Sequence, residues 1–101
     1  MTQYSDDTLR AVKSFGLLSY PIDMMLTLIT ELTSDDIDDD TFTRDMKDET
    51  TPLYKAYHKG QTLAEYNIDK KLYDMATKDG DLTALETLDR RKRLRDIDKD
   101  D

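Results

Sequence analysis

Thr51-Pro52-Leu53-Tyr54-Lys55-Ala56-Tyr57-His58-Lys59-Gly60-Gln61-Thr62-Leu63-Ala64-Glu65-Tyr66-Asn67-Ile68-Asp69-Lys70-Lys71-Leu72-Tyr73-Asp74-Met75-Ala76 carries the longest apolar stripe at helical spacing in this 101-residue chain. Tyr57, Gly60 or Gln61, Ala64, Ile68, Leu72 and Met75 or Ala76 recur three or four residues apart, which keeps them on one side of an α-helix. Tyr54, Ala56, Leu63 and Tyr73 widen the stripe, while Lys55, Lys59, Glu65, Asp69, Lys70 and Asp74 fall largely outside it. So broad an apolar face requires burial. Thr51 and Pro52 suit the helix start, because proline is tolerated in the first turn, where its missing N–H is not needed. Asp79-Gly80 suits its end. Asp81 reads as the N-cap of a second helix, Leu82 to about Arg95, with Leu82, Leu85 and Leu88 as its apolar seam. Two helices joined by Asp-Gly-Asp form an αα-hairpin. Gly60, inside the long helix, costs roughly 1 kcal/mol relative to alanine and calls for a close approach by another helix or a kink.

Upstream, Ser5-Asp6-Asp7 before Leu9, Ala11, Val12 and Phe15 predicts a capped helix closed by Gly16 in a left-handed C′ conformation. Pro21 opens a second helix whose Ile22, Met25, Leu26, Leu28, Ile29 and Leu32 place it in the middle of an N-terminal core. The run Thr33 to Asp40 is an acidic connector offering N-caps to a third helix, Asp39 or Asp40 to about Asp48, turned inward at Phe42 and Met46. Three helices in this order form a helix-turn-helix-like unit, with the third in the groove-reading place. The chain is therefore expected to be all-α: residues 1–51 a helix-turn-helix-like unit, 52–95 a helical hairpin suited to oligomerisation, and 96–101 a frayed acidic tail.

Composition narrows the function classes. One small core fits a chain that is 37% apolar. There is no cysteine, which excludes disulfides, thiolate metal sites and cysteine nucleophiles. No apolar run approaches the roughly 18 residues of a membrane span, and the first residues lack signal-peptide character, so no membrane and a cytoplasmic location are expected. The net charge of −8 is uneven: residues 1–51 hold 12 acids against 4 bases, while residues 90–101 hold 6 bases against 4 acids. An acidic protein contacts nucleic acid only locally, where Lys and Arg collect.

No catalytic, cofactor or metal site is expected. Counted from Asp36, the aspartate run puts Asp38 and Asp40 at the third and fifth positions of a calcium loop. Thr41 then stands where glycine is needed, and Lys47 where the bidentate glutamate belongs. His58, the single histidine, has no nucleophile or carboxylate at a telling spacing. Gly16, Gly60 and Gly80 are isolated and form no phosphate loop. Two cationic features remain. Thr41, Thr43, Arg44 and Lys47 are the side chains of the third helix suited to DNA contact. Arg90, Arg91, Lys92, Arg93 and Arg95 form a basic knot that either complements a helix C-terminus, touches phosphate or an acidic partner, or meets the acidic front half of a neighbouring subunit.

The order of these pieces resembles the small terminase subunits of tailed phages and prophages. The N-terminal helical half, Phe42 to Met46, Thr51 to Gly60, then Ala64, Ile68, Leu72, Ala76 and the Lys78 to Leu85 turn carry the resemblance, which spans about Thr8 to Arg93. It implies a non-catalytic, ring-forming recognition subunit that binds double-stranded viral DNA and a large terminase motor subunit in the host cytoplasm. Tyr57, Gly60, Ala64, Ile68 and Leu72 would then be assembly or core positions. Two other classes remain open: a helix-turn-helix transcriptional regulator, and an acidic helical adaptor or inhibitor that binds a basic protein through Asp35 to Asp40.

Overall fold

Five helices make up the computed structural model, which describes residues 4–33 and 35–99, the last four by backbone only. They are α1 (Asp6–Leu17), α2 (Ile22–Leu32), α3 (Asp39–Lys47), α4 (Pro52–Lys78) and α5 (Leu82–Lys99), with no strand among the described residues. The all-α expectation is met. The chain divides into two compact units, Met1–Ala64 and Glu65–Asp101, so α4 gives its first half to one and its second half to the other. Asp100 and Asp101, the end of the acidic tail, and Ser34 of the connector lie outside the described residues.

The first unit has one apolar core: Val12 and Phe15 of α1, Met25 and Ile29 of α2, Phe42 and Met46 of α3, and Leu53 of α4. Its helix ends are fixed by short-range polar chemistry. Ser5 accepts the Thr8 N–H at 3.2 Å, and Asp38 accepts the Thr41 N–H at 3.1 Å. The buried Thr51 hydroxyl accepts the Tyr54 N–H at 3.2 Å and points at the Asp45 carbonyl, 2.6 Å away. Each of the three bonds from an N–H satisfies one of the donors that a helix start leaves unpaired.

The end of α1 departs from expectation. Gly16 lies inside the helix and is buried, and the left-handed residue is Ser19 at φ 56°. Ser19 N–H reaches the Gly16 carbonyl at 3.1 Å and Tyr20 N–H the Phe15 carbonyl at 3.0 Å, a Schellman closure. The Phe15 and Tyr20 rings stack across it at 5.9 Å. Gly16 is needed elsewhere, where α1 crosses α4. A Cβ there would overlap the Tyr57 carbonyl oxygen and lie 3.2 Å from the Gln61 nitrogen. On the other side of the crossing, a Cβ on Gly60 would overlap the Lys13 carbonyl oxygen and lie 2.9 Å from the Leu17 nitrogen. Two glycines bring the backbones together, which gives the interior glycine of α4 its reason.

In the second unit, α4 and α5 run antiparallel. Gly80, at φ +66°, makes the turn, and Asp81 accepts the Ala84 N–H at 3.1 Å. The predicted seam is corrected. Ala84 and Leu88 are buried, but Leu82 is 72% and Leu85 45% exposed. The inward line of α5 is Ala84, Leu88, Arg91 and Arg95, spaced four, three and four residues, and its two arginines meet Glu65 and Asp69 of α4. Which leucines face inward is decided by the helix across the turn, which the spacing within α5 does not report.

Candidate functional site

The cations of the basic knot part company on α5. Arg91 donates from Nε to Asp69 Oδ1 at 2.8 Å and also pairs with Glu65. Arg95 donates to Asp69 Oδ2 at 2.5 Å and stands 3.5 Å from Glu65. Burial alone would raise the Asp69 carboxyl, but the hydrogen bonds and charge of both arginines outweigh it and hold the carboxyl below its ordinary value. Arg91 is shifted upward in turn, chiefly by its hydrogen bond to Asp69. These two arginines close the open end of the hairpin. Arg90, Lys92 and Arg93 are exposed on the remaining circumference, with Glu86 and Asp89 beside Arg90 and Arg93.

On α3 the pattern is similar. Phe42 and Met46 face the core. Asp45 is buried too, and accepts the Tyr4 hydroxyl at 2.7 Å. Arg44 and Lys47 are exposed, with Arg44 Nε 3.5 Å from Asp45 Oδ1. Thr43 is half-buried, and Thr41 gives its hydroxyl to the capping Asp38 at 3.1 Å. The outward face of α3 therefore offers two cations among the carboxylates of Asp39, Asp40 and Asp48. Thr50 hydrogen bonds from its side chain and backbone hold the Asp48 carboxyl below its ordinary value.

The stripe of α4 divides between the two units. Tyr57 packs against the first core and donates its hydroxyl to the Tyr20 carbonyl at 2.9 Å. Gly60 sits buried at the α1 crossing, Ala64 and Leu72 are half-buried, and Ile68 is 45% exposed. On the hairpin, the register set by the Arg91–Asp69 and Arg95–Glu65 pairs gives each flank an apolar strip. Tyr66 and Tyr73, seven residues apart and each 57% exposed, share one side of α4, and Leu85 lies on the matching side of α5. Ile68 and Leu94, the latter 57% exposed, occupy the opposite flank. Spacing within α4 puts Tyr73 at the edge of the stripe and Tyr66 outside it, although their seven-residue repeat is visible in the sequence.

His58 is exposed and stacks on Tyr54, ring centroids 6.1 Å apart. Among the described residues no three histidine, aspartate or glutamate side chains converge to hold a metal ion, and no helix is long and apolar enough to cross a membrane. No family model, curated protein or solved structure shows significant similarity to the chain.

Proposed function

We propose that this chain is a non-catalytic, self-assembling recognition subunit of the kind that small terminase subunits represent. Its hairpin would pack against neighbouring copies, and its exposed cations would contact duplex DNA and a motor subunit. The observation that carries the reading is the hairpin's exposed apolar side chains. Among its described residues the unit buries Ala84 and Leu88 outright and leaves Tyr66, Tyr73 and Leu85 on one flank and Ile68 and Leu94 on the other. Two different apolar flanks on one hairpin suit a head-to-tail contact between copies, which generates a ring when the rotation closes. Arg44, Lys47, Arg90, Lys92 and Arg93 are the exposed members of the cationic sets available to a polyanion.

The adaptor reading is weakened by the connector itself. Asp35 is tied to Ser5 and Thr8, and Asp38 caps α3, so two of its carboxylates are already engaged. Sedimentation of the full chain with and without a DNA duplex tests the proposal. A closed oligomer that takes up the duplex is the expected result; a monomer indifferent to DNA at low salt would refute it.

A further inference from the structure

The first unit is strongly acidic, yet its cations are not spread evenly. Residues 1–64 contain six Lys and Arg, and four of them line one groove between the first two turns of α1 and of α4: Arg10, Lys13, Lys55 and Lys59. The groove encloses about 440 Å³ over an apolar floor of Leu9, Pro52 and Ala56. All four cations are exposed. The glycine crossing fixes their spacing, since Gly60 rests on the Lys13 backbone and holds the two helices at close range. The cations of α5 stand instead beside carboxylates, Arg91 and Arg95 on Glu65 and Asp69, Arg90 and Arg93 beside Glu86 and Asp89.

We infer that this groove is a phosphate-backbone site, which takes a strand of nucleic acid between the Arg10–Lys13 row and the Lys55–Lys59 row. The inference rests on the DNA-binding part of the proposed function and relocates its main contact from α3 to the α1/α4 groove. Within each row the cations are about one helical turn apart, roughly 4.5 to 6 Å along the axis, a spacing suited to neighbouring phosphates of one strand. Two opposing carboxylates are near. Asp6 lines the groove, and Asp7 lies 3.8 Å from Arg10 in a largely exposed pair of little strength. The partial positive charge of two helix N-termini adds to the four side chains. An acidic segment of a second copy is the less suited occupant, because Asp35 and Asp38 of the connector are held within their own subunit.

The test is the salt dependence of binding between the full chain and a short mixed-sequence DNA duplex, followed by fluorescence anisotropy. Arg10→Gln, Lys13→Gln, Lys55→Gln and Lys59→Gln combined should weaken binding at least about tenfold at low salt and flatten the slope of log affinity against log salt by about 2 to 4. Replacing the three lysines by arginine should restore both. Because all four side chains are exposed, the melting curve of the quadruple variant should match the parent's. An unchanged slope in the quadruple variant, with loss confined to Arg44→Gln/Lys47→Gln or Arg90→Gln/Lys92→Gln/Arg93→Gln, overturns the groove and leaves DNA recognition standing. A parent chain without affinity at low salt overturns both. If the quadruple variant instead loses self-association and keeps its DNA affinity, the groove receives a second copy and the nucleic-acid site is refuted.

Discussion

Arg91 reaches across the hairpin to Asp69, Nε to Oδ1 at 2.8 Å, and both side chains are less than a quarter exposed. Arg95 bonds to the second oxygen of the same carboxylate. Asp69 is thus the hub of a partly buried ion cluster that sets the register of α4 against α5.

Removing the hub leaves two arginines with reduced compensation. Asp69→Ala should destabilise the chain by about 1 to 3 kcal/mol, more than an exposed ion pair contributes, and Asp69→Asn by somewhat less. A double-mutant cycle with Arg91→Ala measures the coupling directly. Additive losses would show that the pair does not act as a unit.

The same carboxylate sets a pH dependence. Its folded-state pKa lies below its ordinary value of 3.8, so the unfolded chain binds the proton more readily. Its contribution is fully present well above 3.8 and is lost as pH falls through the depressed value. Asp35, held low by the Thr8 hydroxyl and then by the Ser5 N–H and hydroxyl, acts with the same sign. Acid unfolding should therefore begin below about pH 4, and Asp35→Asn combined with Asp69→Asn should make that limb shallower. An unaltered acid limb in the double variant would assign acid sensitivity to other groups.

Gly60→Ala reverses the usual helix rule. At an exposed interior site the change would stabilise by roughly 1 kcal/mol, but here the added methyl meets the Lys13 backbone carbonyl. The expected result is a loss of at least about 2 kcal/mol, because two helix backbones have no soft side chain to move aside. Chemical denaturation measures it, and a stabilised variant would show that the crossing is looser than described.

Ser19→Gly should act in the other direction. Ser19 holds a left-handed φ of 56° that glycine adopts freely. Relief of that strain, less the extra chain entropy of glycine, should stabilise by about 0.5 to 1 kcal/mol, read as a raised thermal midpoint.

Local chemistry was legible in the sequence, and long-range choices were not. Thr51-Pro52, Asp81 and the Phe42/Met46 pair announced helix starts and an inward face because each signal lies within a single turn. Gly16 read as a helix terminator because its partner, Tyr57, lies far along the chain, whereas the Schellman closure could be assembled without any glycine. The seam of α5 followed its leucines, yet the helix across the turn selected Ala84, Leu88, Arg91 and Arg95. The basic knot was visible as a cluster; that Arg91 and Arg95 turn inward depends on Glu65 and Asp69, one helix away. The groove cations lie far apart in sequence, and only the α1/α4 crossing makes them neighbours.

The hairpin flanks make the central claim, and the solution mass of the full chain tests it most directly. Light scattering at two concentrations and two salt levels should give a single closed assembly, reduced to smaller species by Tyr66→Ser with Tyr73→Ser while the helical signal is kept. A concentration-independent monomer whose mass those substitutions leave unchanged would contradict the account.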